Sequence, residues 1–318
     1  MISVTKVGDT KTGWRVRAVF QIELNRKDEE LLKDIQVSFG GVGKIFKGGK
    51  DCLSYRVNSV DQILIIISHF DKYPLITKKL KDYLLFREAV FMMYNKEHLT
   101  SDGLEKIVAI RASLNKGLTD ALKAAFPNIT PVPTPEGVSQ LPGQGPGSIG
   151  GQIVKETPLL DTVLGPEPYD SDCITKIPGP DWIAGFVSGE GCFFVQLRKA
   201  RTTGKIGSRV NLSLSLAQHI REEVLMKSLV YYFKCGGYYK AQNHGVFTVS
   251  NLSDILEIII PLFRQHPIRG VKGDDFLDWC KVAEAMKGKE HLTLQGLDKI
   301  RGIKAQMNRG RPLEVKAP

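Results

Sequence analysis

The sequence predicts an α+β fold made of two pseudo-symmetric repeats, each an antiparallel sheet with helices on one face. Three observations predict it. The chain of 318 residues matches itself at a spacing of 193: "KEHLT" begins at 96 and again at 289, and the same spacing pairs Pro74 with Pro267, Asp82 with Asp275, Gly103 with Gly296 and Asn115 with Asn308. That unit of about 120 residues exceeds solenoid repeats and points to a pseudo-dimer within one chain. Second, "WRVRAVFQIEL" (14–24) and "RVNLSLSL" (209–216) alternate apolar and polar residues, as a strand covered on one side does. Third, apolar-rich helical segments follow these strands in both copies.

In order within the first copy, 14–24 reads as one strand, with Trp14, Val16, Ala18, Phe20, Ile22 and Leu24 on one face and Arg15, Arg17, Gln21 and Glu23 on the other. "DEELLKDIQVSF" follows as a helix, then "VGKIFKGG" and "LSYRVNS" as a hairpin, then the helices "VDQILIIISHF" and "KKLKDYLLFREAVFMM". Thr100 and Thr293 are read as helix N-caps, with Leu99–Leu104 and Leu292–Leu297 as hydrophobic staples. His98 and His291 are accordingly structural. The domains expected are 1–126, a Pro/Gly-rich linker 127–177 and 178–318.

The bulk composition narrows the function. A net charge of +10 favours a polyanionic partner. The five cysteines form no C-x-x-C pair, so neither a zinc site nor a disulfide framework is indicated. No apolar run approaches the ~18 residues of a membrane span, and the start resembles neither a signal nor a transit peptide. The polar strand faces carry residue types that reach base edges and phosphates. The candidate nucleic-acid contacts, to DNA or RNA, are Arg15, Arg17, Gln21, Lys44, Lys47, Arg56, Gln196, Arg198, Arg209, Asn211, Ser213 and Lys240.

One segment has no second copy. In "GPDWIAGFVSGEGCFFVQLRK" (179–199), Pro180 and Asp181 open a helix. Ala184, Gly185, Ser188 and Gly189 make a small-residue face on which a second helix could approach closely. Glu190 stands at the helix C-terminus, where its charge adds to that of the terminal carbonyls; a divalent cation would offset both.

Here the sequence resembles the LAGLIDADG homing endonucleases, particularly the single-chain fungal mitochondrial group. The resemblance rests on "WIAGFVSGEGCF" (182–193), "LAQHIREEVLMKSLVYYF" (216–233), "VGKI" (42–45), and "KEHLT" with "NKG" or "NRG" in both halves. It implies saddle-shaped sheets gripping a long asymmetric duplex site, and a pseudo-two-fold monomer. It also implies two motif helices, each delivering an acid that holds Mg²⁺ (or Mn²⁺) for double-strand cleavage. It assigns Glu190 and the adjacent Gly189 to the metal, and Gln218, Lys272 and its repeat partner Lys79 to the catalytic centre. Asn25 is the looser counterpart of Gln218. Intron homing inside a mitochondrion is implied as well. The repeat spacing would put the counterpart of Glu190 at position −3. The first motif helix is therefore expected ahead of Met1, and the chain alone is expected to be incomplete or inactive in cleavage. Two alternatives share the basic saddle: an RNA-binding intron maturase, and a DNA binder without catalysis.

Overall fold

A computed structural model describes residues 1–49, 51–76, 78–114, 117–133, 176–199 and 208–311. Most of the expected linker, 134–175, lies outside them, as do Asn115 and Cys173. The N-terminal half runs β1 (Ile2–Lys6), β2 (Trp14–Ala18), β3 (Phe20–Asn25), α1 (Glu29–Ser38), β4 (Lys44–Lys47), β5 (Cys52–Val57), α2 (Val60–Lys72), α3 (Lys78–Tyr94), α4 (Ser101–Ser113) and α5 (Asp120–Ala125). The C-terminal half runs α6 (Pro180–Glu190), β6 (Gly191–Lys199), β7 (Ser208–His219), α7 (Glu223–Phe233), β8 (Gly237–Lys240), β9 (His244–Val249), α8 (Leu252–Asp254), α9 (Ile260–Gln265), α10 (Val271–Lys287) and α11 (Leu294–Ala305). Between α8 and α9 the helix widens over Ile255–Ile259, because Pro261 has no N–H to give Glu257.

All sheets are antiparallel, and each half has its own apolar core. The period-two pattern explains the cores. Val16, Ala18, Leu53, Tyr55 and Val57 are buried on one side of the N-terminal strands, as Phe193, Val195, Leu212, Leu214, Phe247 and Val249 are in the C-terminal half. No helix among the described residues is long and apolar enough to cross a membrane.

The segment 14–24 keeps its alternation but is not one strand. β2 pairs with β1, and β3 with β5, so the strand breaks at Val19 and its parts belong to two separate sheets. The packing of the N-terminal half also continues past residue 126. Ile129 and Val132 lie against its core, and the Ser113 hydroxyl donates to the Val132 carbonyl at 2.7 Å.

The repeated "KEHLT" is architectural. Lys96 and Lys289 take left-handed φ values of 63° and 59°, turning the chain before α4 and α11. Thr100 Oγ1 accepts from Gly103 N–H at 3.1 Å, and Thr293 Oγ1 from Gly296 N–H at 3.0 Å. A Cβ on either glycine would come within 2.0 Å of the Glu97 or Glu290 carbonyl, which is why both copies keep glycine there. The staples do not form as expected: Leu99 and Leu292 are 52 % and 55 % exposed, while Leu104 and Leu297 are buried in the cores.

Candidate active site and nucleic-acid interface

Helix α6 seats itself with Ile183, Ala184 and Val187, all buried in the C-terminal core. Trp182 stacks on Phe186 at 5.0 Å beside them. Of the expected small-residue face, Gly185 and Gly189 do look onto open space. Ala184 does not; its methyl faces the core of its own half. Ser188 is tied to the same half, accepting from Arg269 N–H at 2.9 Å and donating to the Ala184 carbonyl at 2.7 Å.

Glu190 closes α6 and is exposed, with no hydrogen bond or ion pair of its side chain among the described residues. Beside it, the Lys272 ammonium donates to the Gly189 carbonyl at 3.2 Å. Burial pushes the Lys272 amine down, against the fields of Glu190, Asp28 and Asp275. Lys79 and Lys272 are each the second residue of a long helix, α3 and α10, as the repeat spacing requires; Lys79 is exposed. Gln218 is half-buried near the end of β7, opposite Gly245. No hydrogen bond or ion pair joins Lys79 or Gln218 to Glu190 among the described residues.

The pairing of Asn25 with Gln218 shifts by one. Asn25 Oδ1 accepts from Lys27 N–H at 3.0 Å, and His219 Nδ1 accepts from Arg221 N–H at 3.2 Å. Each caps the turn that leads into the next helix, so His219 is the equivalent of Asn25.

Asp28 is a residue that sequence reasoning missed. It precedes α1 but makes no cap bond there. Its Oδ1 instead accepts from Val271 N–H at 2.8 Å, at the start of α10 in the other half. Gly270 turns there with φ 68°, and a Cβ on it would come within 2.4 Å of that same oxygen. The Lys27 ammonium, next door, donates to the Arg311 carbonyl. Thus the turn before α1 holds both the helix that carries Lys272 and the segment after α11. The repeat gave one signal: an acid, Glu222, stands in the corresponding place before α7.

The polar faces follow from strand register, since directly opposed residues share a face. In the C-terminal sheet, Arg198 opposes Arg209, Gln196 opposes Asn211 and Phe194 opposes Ser213. Two arginines face to face repel, and a bound anion would relieve them. In the N-terminal half, Arg15 and Arg17 oppose Thr5 and Ser3, and Gln21 and Lys44 flank Arg56. Arg15 is already ion-paired with Asp9 at 2.8 Å. Lys47 and Lys240 depart from expectation. They oppose Leu53 and Gly245, on the helix-bearing side, and Lys240 pairs with Glu223 of α7 at 3.4 Å. At the positions next to Lys47 and Lys240 the polar face instead carries the exposed aromatics Phe46 and Tyr239.

No group of three or more His, Cys, Asp or Glu converges to hold a metal among the described residues. The donors at the end of α6 are a carboxylate and a main-chain carbonyl. That is a hard, all-oxygen set of the kind that holds Mg²⁺ together with substrate phosphates rather than in a cage of its own.

The family model for the LAGLIDADG endonuclease matches residues 1–90 and 183–283. A probable intron-encoded endonuclease 3 of Neurospora crassa is 35 % identical over 302 residues, 94 % of this chain. The chain spans only 50 % of that relative's length. Among solved structures, the I-SmaMI homing endonuclease bound to cleaved DNA is 42 % identical, with a TM-score of 0.84 over 98 % of this chain and 93 % of that one. A further structure of I-SmaMI holds uncleaved DNA in the presence of calcium ions; it is 41 % identical, with a TM-score of 0.83 over 98 % of this chain and 94 % of that one. I-GzeII in complex with its DNA target is 36 % identical, with a TM-score of 0.80 over 98 % of this chain and 94 % of that one.

Proposed function

The chain belongs to the LAGLIDADG endonuclease family, and from that premise we propose that it acts as a sequence-specific, intron-homing endonuclease on double-stranded DNA. The observation that carries this reading is Glu190: an acid with no hydrogen-bond or ion-pair partner among the described residues, at the end of a helix that turns Gly185 and Gly189 to open space, beside Lys272. The two polar sheet faces support it, and so do the DNA-bound relatives. Mitochondrial location follows from the same resemblance.

Each residue has a role that its placement allows. The Glu190 carboxylate and the Gly189 carbonyl would hold Mg²⁺ or Mn²⁺, which supplies Lewis-acid polarisation of a phosphoryl oxygen. Lys272 brings positive charge to the scissile phosphate from a semi-buried position. Lys79 would do the same from the other half, and Gln218 would orient a phosphate or water by hydrogen bonding. The basic strand residues hold the duplex in register. One chain supplies both sheets, so a monomer suffices.

The test starts from a duplex selected for binding and measures its cleavage with Mg²⁺. A polypeptide of residues 1–318 contributes one motif acid and is expected to cut poorly. A chain with a second motif helix joined ahead of residue 1 is expected to cut both strands. In that chain, Glu190→Gln should lower cutting by about a hundredfold or more while the duplex stays bound. Undiminished cutting by the variant would sink the role of Glu190. The maturase reading draws on the single motif acid in the sequence; intron RNA binding that survives Glu190→Gln, without duplex cleavage, would favour it.

A further inference from the structure

One arginine on the N-terminal polar face is built differently from its neighbours. Arg56 Nε donates to the Ser54 hydroxyl at 2.9 Å, two residues back on the same face. Its guanidinium lies over the Phe46 ring, 5.8 Å from the centroid. Ser54 is 0 % exposed, a buried hydroxyl on the polar side of a sheet, sandwiched in register between Phe46 and Glu23. Phe46 is left 41 % exposed as a shelf. With Nε engaged and the plane supported from one side, the two terminal nitrogens remain as a fixed planar fork. Arg15 and Arg198, by contrast, each have a terminal nitrogen engaged, with Asp9 and Gln196.

Glu23 is the second unusual feature. It is an exposed carboxylate on a face of otherwise basic and neutral residues, and it accepts a hydrogen bond from Gln21 Nε2. Phosphates repel a carboxylate, so Glu23 gains nothing from the DNA backbone. It can only accept, and the base edge that offers only a donor in the major groove is the cytosine N4 amine. The fork of Arg56 has the complementary preference, for guanine O6 and N7.

We propose that Arg56, held by Ser54 and Phe46, is a guanine reader in the N-terminal half of the target, and that Glu23 reads a cytosine within about two base pairs of it. This rests on the reading that a DNA duplex lies against the polar faces.

The experiment uses the 318-residue chain, no metal, and a pool of randomised duplexes selected by binding and sequenced. The unsubstituted chain is expected to enrich a sequence with one fixed G and one fixed C in the same half. Arg56→Lys, which keeps the charge but not the fork, should lose the G preference by about tenfold or more at that one position. Ser54→Ala should weaken the same position less, and Glu23→Gln should relax the C alone. Thermal unfolding of each variant establishes that it is folded. A uniform loss across all sequences in Arg56→Lys would make Arg56 a phosphate contact and overturn the proposal, as would a different base at the position that responds. If the unsubstituted chain enriches no duplex at all, the DNA reading falls first and this proposal with it.

Discussion

The two halves share a plan but differ in how their sheets are joined. In the C-terminal half, β7 is twelve residues long and pairs with both β6 and β9, and Leu214–Leu216 belong to both ladders. Their β6 partners are Phe193, Cys192 and Gly191, the first residues after the motif helix. In the N-terminal half, β2 and β3 share no residue and the sheet is split at Val19. In the C-terminal half, then, the strand that leaves the motif helix pairs first with the three β7 residues that also pair with β9.

The halves also differ around one repeated aspartate. Asp275 is 5 % exposed and accepts from Asn308 N–H and from Arg311 Nε and Nη2, at 2.9, 3.0 and 2.9 Å. At the same spacing, Asp82 is half-buried, and Leu118, packed on the N-terminal core, replaces Arg311. Arg311→Leu copies the N-terminal solution into the C-terminal half and leaves a buried carboxylate without its ion pair, holding only the Asn308 N–H bond. It is expected to cost about 3–5 kcal/mol in chemical denaturation. Asp82→Asn should stay within about 0.5 kcal/mol. Equal costs in the two halves would remove this distinction.

Much of the fold could be read from the sequence because its signals are local. The KEHLT spacing identified the repeat, and period-two alternation identified the core faces. What escaped depends on partners that no local pattern encodes. The break at Val19 depends on which strand lies alongside. Asp28 meets Val271 across 243 residues of chain. The helix-side placement of Lys47 and Lys240 is not legible because "KIFK" and "GYYK" each place two large side chains side by side, which hides the phase of the alternation. Glu190 was legible because glycines flank it and no basic residue stands in the last turn of its helix. Its closeness to Lys272 in the structure, by contrast, comes from tertiary packing.

A symmetric test sharpens the comparison where the halves agree. Thr100 and Thr293 cap equivalent helices with nearly equal bonds, and each also donates back, to the Glu97 and Glu290 carbonyls at 2.9 and 2.8 Å. Thr100→Ala and Thr293→Ala should each cost about 1 kcal/mol. Local hydrogen exchange should rise in α4 for the first and in α11 for the second. A marked inequality would mean that one half depends on its cap and the other does not.

The smallest expected effect is a pH dependence in the N-terminal half. Burial, then the charge of Lys72, lowers the His69 imidazole, which packs against Phe39 at 4.9 Å. Burial lowers His98 as well, opposed by a backbone hydrogen bond at Met92. Both imidazoles therefore bind a proton less readily in the folded chain than in the unfolded chain, which protonates them near the ordinary value of about 6.5. Above that pH neither state binds the proton and nothing is lost. Below it the unfolded state binds protons first, so stability falls as the pH drops from about 6.5 towards the lower folded values and levels off beneath them. Hydrogen exchange at pH 7.5 and 5.5, corrected for intrinsic rates, should show α2 and the start of α4 losing protection in acid. His69→Leu combined with His98→Leu should flatten that loss; an unchanged acid response in the double variant would assign it to other groups.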